Sequence, residues 1–522
     1  MAIECMRDLL KLDQIVGENI AQALVEGDIS IPEAKLPVAR ILDITGQAII
    51  SSKEIIQDKV MVEGVLQYDI LYITEGEEQV EAVEAEIGFT QYLDIPGARP
   101  KMLSWLDLRV EHIDCEILSG KRLSLQAVIR LYGKVRETLE LESVRGFIGV
   151  NDVEVLRDRV EATSSAGEGR TQTMLREDLD LVDSMPSIQR ILRKNLSIKI
   201  KEHKVMDNKV VVSGVALIKL LYQADNEEDP LHFVDHEIEF SHAIDMPGAY
   251  QGMGSNVSAS VIDFYADPRE DINGEFRIID TEAIINLEAS VYEPLELDII
   301  TDAYSPSLPM TLNKKTIVLS QLVAEGEDQL VVKEGISFPP DKAKARKILY
   351  VDVNPLITDE SIGDGKVNLE GILSVVVLYQ SKDADMLLSS FADNIAFSHS
   401  IDLDQAVDGQ SCKSKVSVDK ASFVLLAQDE LEIKVVLSLA TELEKKIEKQ
   451  IIIGAEALDQ AEAVDSGIYI YFVQPGDSLW TIAKKYNTTA SIIEKFNDLG
   501  DEARLEPGTR LVIYKKLDSP AV

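Results

Sequence analysis

Hydrophobic and polar positions alternate in three long segments of the chain, each built around one glycine. The glycines are Gly64, Gly214 and Gly371. In each segment an Ile-Leu pair begins 23 residues before the glycine, and a tyrosine lies eight residues after it. Alternation rich in Val, Ile and Tyr predicts β-strands with one buried face. The chain is therefore expected to contain three copies of one β unit.

The stretches that follow each glycine segment also repeat in the same order. An acidic turn precedes an Ile-x-Phe motif, and five residues past each phenylalanine is an aspartate: Asp94, Asp245 or Asp402. Two more alternating runs close each copy. A length of roughly 100 residues per copy with antiparallel strands suits a β-sandwich or barrel-like domain. The glycine is expected to mark a bulge or a close approach of neighbouring backbone.

These patterns divide the chain into a series of predicted segments. Residues 6–26 carry a mixed apolar pattern for which we prefer a helix over a lead-in strand. Each connector between copies is expected to supply an opening strand to the domain after it. The predicted segments are a lead-in (1–35), β domains at 36–140, 186–294 and 341–445, connectors at 141–185 and 295–340, a helical or flexible tether (446–467) and a terminal module (468–516).

The terminal module has a different pattern, which predicts strand, helix, helix and strand. Tyr471 and Val473 alternate as in a strand before a Pro-Gly turn, and Asp477 or Ser478 is placed to cap the helix that follows. Two apolar stripes at helical spacing come next. A strand that ends at Ile513 then returns after a second Pro-Gly turn.

This module resembles a LysM domain, a small βααβ fold that binds N-acetylglucosamine chains of peptidoglycan in many bacterial proteins. The resemblance rests on Gly-Asp-Ser-Leu-Trp at 476–480 and on Asn497, among other positions. It implies a sugar groove between two loops. The groove candidates on the two sides are Gly476, Asp477, Ser478 and Leu479, with Asn497, Asp498, Leu499 and Leu505. The alternative is that Leu479, Trp480 and Leu505 belong to the core, because a domain this small needs nearly every apolar side chain.

The triplicated β unit resembles the domain that recurs in clostridial and bacillar spore-envelope proteins. Three such domains followed by one LysM domain resemble the clostridial spore coat morphogenetic proteins. The resemblance implies a protein made in the mother cell that acts at the forespore surface. Its implied partner is the ATP-hydrolysing coat base-layer protein, stage IV sporulation protein A.

Composition narrows the possible partners. The 522 residues carry a formal charge of −39, which disfavours nucleic acid and anionic lipid. The module is nearly neutral, with seven basic and six acidic residues over 468–517, so the acidity lies in the β copies. We expect no signal peptide and no membrane-spanning segment. Cys5, Cys115 and Cys412 are isolated, which predicts buried reduced thiols.

Patterns typical of catalysis or cofactor binding are not found. His232 and His236 are four residues apart in a strand-like region, where that spacing does not converge on a metal. Asp94, Asp245 and Asp402 each stand alone, which favours a turn-capping role. No phosphate loop, nucleophile elbow or paired-cysteine site appears. We therefore expect no enzyme activity, no cofactor and no metal.

Two functional hypotheses remain. In the first, the β domains form a long acidic scaffold and the module docks on the coat base-layer protein. The docking face in that case is predicted to include Asp477, Ser478, Trp480, Leu499 and Arg504. In the second, the module binds glycan and tethers the protein to peptidoglycan or cortex.

Overall fold

The fold is described by a computed structural model that covers residues 3–76, 79–224, 230–382, 388–458, 467–499 and 505–515. Within these ranges the β copies form six three-stranded antiparallel sheets, and the module forms one two-stranded sheet with two helices. The strands of the β copies are β1 (Glu4–Ser30), β2 (Val38–Ile56), β3 (Lys59–Thr74), β4 (Val80–Asp94), β5 (Leu103–Ser119), β6 (Arg122–Ile148), β7 (Glu154–Asp180), β8 (Ile188–Met206), β9 (Lys209–Ala224), β10 (Leu231–Asp245), β11 (Gly254–Glu270), β12 (Phe276–Tyr304), β13 (Met310–Ser337), β14 (Ala345–Gly363), β15 (Lys366–Ser381), β16 (Leu388–Asp402), β17 (Ser411–Ala427) and β18 (Glu430–Ala457). The module contains β19 (Gly467–Phe472), α1 (Leu479–Lys485), α2 (Ala490–Phe496) and β20 (Arg510–Lys515).

Each copy is a sandwich of two three-stranded sheets. In the first copy the strand orders are β2-β3-β4 and β1-β6-β5, and the other two copies repeat this topology. Leu66 and Tyr68 of β3 share one apolar cluster with Leu125 and Ala127 of β6, so the two sheets enclose a common core. The predicted fold class, tandem antiparallel β domains followed by a βααβ module, is confirmed.

The repeated glycine marks both a bulge and a close approach. Gly64 pairs with Phe89 on β4, and β2 has a register shift beside it. A Cβ on Gly64 would lie 2.4 Å from the Phe89 ring and 2.5 Å from the carbonyl oxygen of Ile49, far inside van der Waals contact. A Cβ on Gly214 or Gly371 would clash in the same way with a backbone carbonyl oxygen and with the ring of Phe240 or Phe397. The glycine therefore leaves room for a phenylalanine ring across the strand.

The repeated tyrosine ties the centre of each sandwich to the loop before its second strand. Tyr72, Tyr222 and Tyr379 are fully buried. Each hydroxyl donates a hydrogen bond to a backbone carbonyl 36 residues earlier in the chain, with lengths of 3.3, 3.0 and 2.7 Å respectively. Burial of these rings also raises the pKa of Tyr72 and Tyr222 to about 12.

The predicted helix over residues 6–26 is wrong, because this segment lies in strand β1. Its backbone pairs with β6 from Glu4↔Ile148 to Ser30↔Arg122. The two connectors are also largely strand, since β6 and β12 continue past their sandwiches and β7 and β13 open the next ones. Residues 446–457 of the predicted tether belong to β18. Partners 92 or more residues away in sequence satisfy these backbone groups, so local propensity does not decide their conformation.

The long strands form three ribbons that meet each other. The ribbons are the outer halves of β1 with β6, β7 with β12, and β13 with β18. Leu12, Val160, Leu297, Ile317 and Ile451 from all three copies form one buried cluster. The three copies therefore meet at a common cluster, and the expectation that they form a long body is wrong.

A second junction joins the three sandwiches at equivalent positions. Leu42, Leu192 and Leu349 share one buried cluster. The next residue in each copy differs in chemistry: Asp43 forms an ion pair with Arg193, and their side chains are only 4% and 6% exposed. The third equivalent residue, Tyr350, donates a 2.8 Å hydrogen bond to Asp352.

Hydrogen bonds to the backbone add to this junction. Arg190 of the second copy donates to the carbonyl of Val80 in the first, and Arg40 of the first copy donates to the carbonyl of Leu388 in the third. A partly open cavity of about 3080 Å³ is lined by residues of all three copies. The clusters and hydrogen bonds that the copies share thus join them into one body.

Candidate functional site: the terminal module

The module folds around a small core closed by two capped helices. β19 pairs with β20 antiparallel, and the core contains Val473, Ile482, Ile493 and Leu511. Ser478 caps α1 by accepting a hydrogen bond from the backbone of Thr481, whose hydroxyl accepts one from the backbone of Ser478 in return. This reciprocal pair satisfies backbone N–H groups that the helix leaves free.

The first predicted groove loop is held by hydrogen bonds within the module. Gly476 turns the chain with a φ of +89°, where glycine is favoured. The Asp477 carboxylate accepts hydrogen bonds from the Tyr471 hydroxyl (2.6 Å) and the Gln474 backbone N–H (2.8 Å). These bonds hold the pKa of Asp477 below its usual value, and the hydrogen bond to Asp477 raises the pKa of Tyr471 to about 12.

The second predicted groove side contains a structural asparagine. The Asn497 side chain donates to the carbonyls of Ile493 and Val512, both at 2.8 Å, and accepts from the Val512 N–H at 2.6 Å. It therefore joins the end of α2 to β20. Asp498 is exposed. Leu479, Trp480, Leu499 and Leu505 are partly buried and pack against the core cluster. Arg504 lies outside the described residues.

Trp480 contacts the body of the protein. Its indole N–H donates a 3.0 Å hydrogen bond to Asp302 near the end of β12. Its ring lies edge-on to Tyr304, with the ring centroids 4.9 Å apart. Burial raises the pKa of Asp302, but hydrogen bonds from Lys484, Trp480 and Lys314 outweigh it and hold that pKa below its ordinary value.

Sequence reasoning missed an exposed apolar face on the module. Ile468, Ile470 and Phe472 on one side of β19 are 69%, 61% and 55% exposed. Tyr514 lies across from Ile468 on β20, and its ring stacks on that of Phe496. We call these five side chains the sheet face. The signal was present in the sequence, because alternation in a two-stranded sheet places one of two apolar rows outward.

The other residues considered from the sequence do not form a site. No group of His, Cys, Asp and Glu that could hold a metal occurs among the described residues. Asp94 ends β4 and pairs with Lys59, while the turn after that strand is capped by Asp58, which accepts from the backbone of Gly97. The predicted turn-capping role thus belongs to Asp58.

The three cysteines lie apart, as expected for free thiols, and are partly rather than fully buried. Burial raises the pKa of Cys115 to about 11 and that of Cys412 to about 12. Both thiols are therefore protonated at neutral pH.

Comparison with known families assigns both kinds of domain. The SipL SPOCS domain model matches residues 37–118, 187–269 and 344–426, and the LysM domain model matches residues 471–513. The chain therefore carries three SipL SPOCS domains and a C-terminal LysM domain. The SPOCS domains mark it as a sporulation protein related to the spore coat, and its terminal module belongs to the peptidoglycan-binding LysM family. Both domain families are non-catalytic. No curated protein and no solved structure matches the chain significantly.

The SPOCS matches cover only part of each β-sandwich domain. Each match begins beside β2, β8 or β14 and ends near the end of β5, β11 or β17. The long strands that complete the second sheet and form the ribbons lie outside the matches. No helix in the described part of the chain is long and apolar enough to cross a membrane.

Proposed function

We propose that this protein is a non-enzymatic scaffold of the spore coat. In this proposal the three SPOCS domains form an acidic body, and the LysM domain docks on the coat base-layer ATPase protein, stage IV sporulation protein A. The complex assembles at the forespore surface in the mother cell. The SPOCS–LysM composition supports the coat role.

The observation that carries the docking proposal is the sheet face of the LysM domain. Ile468, Ile470 and Phe472 are each more than half exposed, with Phe496 and Tyr514 beside them. Clustered exposed aromatic and aliphatic side chains are typical of protein interfaces. By contrast, Asp477 and Asn497 of the predicted groove are engaged in hydrogen bonds within the module.

The test is co-purification of the full-length chain with purified coat base-layer protein. Ile470→Asp places a charge in the centre of the sheet face and should abolish recovery. Ile272→Asp is the matched control, because Ile272 is a fully exposed isoleucine on the body. Equal recovery by the Ile470→Asp variant, or after deletion of residues 468–522, would contradict the proposal.

Glycan binding is the second candidate, and the LysM family match favours it. The exposed Asp498 is the best residue to probe, since it has a φ of +50° that asparagine tolerates. Asp498→Asn should weaken sedimentation with purified peptidoglycan without changing the backbone. Failure of the wild-type protein to sediment with wall material would contradict glycan binding.

A further inference from the structure

The LysM domain is joined to the second ribbon of the body by hydrogen bonds. The Asp302 carboxylate lies 2.7 and 2.6 Å from the amine of Lys484 on α1, and it accepts the Trp480 indole N–H. Lys314 of β13, in the third ribbon, also pairs with this carboxylate at 3.1 Å. Charge-assisted hydrogen bonds of this length are stronger than neutral ones.

Tyr304 completes this contact. Its side chain is buried within the core cluster of the LysM domain, although it belongs to β12 of the body. Its hydroxyl donates a 2.7 Å hydrogen bond to the carbonyl of Thr488 in the loop between α1 and α2. We call Asp302 and Tyr304 the seat.

The other two ribbons lack the seat, although they share its geometry. Each of the strands β6, β12 and β18 has a register shift near its end. The residue that follows the shift is Gly146 in the first ribbon, Asp302 in the second and Gly454 in the third. Two residues further on, the tyrosine of the second ribbon is replaced by Ile148 and Glu456. At the position that follows the shift, the second ribbon has a carboxylate where the other two ribbons have glycine.

We propose that Asp302 is the positioning residue that fixes the LysM domain to the second ribbon of the body. The contact covers the Trp480 side of the module and leaves the sheet face open. The module is then a rigidly placed part of the body and not a tethered tip. Trp480 is consequently removed from the predicted docking face while the module is seated. The seating of the LysM domain does not depend on the proposed function. Only the identity of the partner that binds the open sheet face rests on it.

The seat can be tested in the full-length protein without any partner. The chain contains two tryptophans, so the Trp105→Phe variant leaves Trp480 as a single reporter. In that background Asp302→Ala should raise the hydrogen-exchange rate of the Trp480 indole roughly tenfold, as expected from the loss of a charge-assisted hydrogen bond. Acrylamide should also quench Trp480 fluorescence more strongly.

Two controls make the result specific. Asp298→Ala removes an exposed carboxylate on the same strand, which pairs with Arg157, and should leave Trp480 unchanged. Lys484→Ala should release Trp480 as Asp302→Ala does, and the double variant should release it no further, because the two groups act as one contact. An unchanged exchange rate in Asp302→Ala, or a double variant equal to the sum of the singles, would overturn the proposal.

Failure of the seat is distinguishable from failure of the proposed docking. Asp302→Ala keeps the sheet face intact, so its recovery of the coat base-layer protein reports docking alone. Ile470→Asp keeps the seat intact, so its Trp480 signal reports seating alone. Each measurement can therefore fail without the other.

Discussion

At the scale of single residues, the repeated glycine has no room for a Cβ in any of the three copies. The Cβ of an alanine at Gly371 would lie 2.4 Å from both the Leu356 carbonyl oxygen and the Phe397 ring. The carbonyl belongs to the neighbouring strand and cannot move without breaking the sheet. Sequence spacing alone identified the position, since Gly371 has the same offset from its tyrosine as Gly64 and Gly214.

We expect Gly371→Ala to destabilise the protein by about 1–3 kcal/mol, the usual cost of inserting a methyl group into a packed site. Gly88→Ala is the matched control, because the nearest atom to its added Cβ is 4.0 Å away. Urea denaturation followed by fluorescence gives both values. Equal midpoints for the two variants would show that the third sandwich does not pack as described.

Asn497 has a structural role in the LysM domain. Its place in a LysM motif predicted a groove residue, yet its side-chain amide makes three hydrogen bonds to the backbone. Asn497→Ala should cost the module about 1–3 kcal/mol, because the partly buried N–H and carbonyl of Val512 lose the hydrogen bonds that Asn497 makes to them. Urea unfolding followed by Trp480 fluorescence in the Trp105→Phe variant measures this.

Ser491→Ala on the exposed face of α2 is the control for Asn497→Ala and should leave the unfolding midpoint unchanged. If both variants unfold alike, the hydrogen bonds of Asn497 do not hold the module together. Only if the two variants are equally stable can weaker ligand binding by Asn497→Ala be attributed to a lost contact with the ligand.

At the scale of elements, the sequence predicted the strands and helices that follow from local periodicity. It missed strands whose conformation depends on pairing with a distant part of the chain. The three central hairpins and the LysM helices followed from periodicity. Strand β1 did not, because its apolar residues also match helical spacing and its partners on β6 are 92 to 144 residues away in sequence. The seat left no sequence signal either, since Asp302 is one acid among 91 acidic residues.

The strand assignment of β1 makes a sharp prediction for two leucines. Leu12 is 1% exposed and belongs to the cluster where the ribbons meet, whereas Leu9 on the same strand is 68% exposed. Leu12→Ala should therefore lower the free energy of unfolding by about 2–5 kcal/mol. Leu9→Ala should change it by less than about 0.5 kcal/mol. Thermal denaturation of the full chain compares them, and similar losses would argue against a buried ribbon centre.

At the scale of the whole molecule, three similar domains are joined by contacts that differ at each interface. Apolar clusters shared by all three copies, together with ion pairs between copies such as that of Asp43 and Arg193, hold the body together although the chain has a net charge of −39. Lys446 and Lys449 of β18 contact Glu18 of the first copy and Asp158 of the second. These contacts depend on which copy is adjacent, so they favour one arrangement.

The buried pair of Asp43 and Arg193 tests this view most directly. Arg193→Met leaves the Asp43 carboxylate buried without its cation, so we expect a loss of about 3–5 kcal/mol in the free energy of unfolding. The double variant Asp43→Leu with Arg193→Met should recover most of that loss. One guanidinium nitrogen of Arg193 already lacks a hydrogen-bond partner among the described residues, so a well-packed apolar pair is a favourable replacement. Urea midpoints of the three proteins decide the matter: if the double variant is as unstable as Arg193→Met, the pair does more than balance charge, and the centre of the body depends on its geometry.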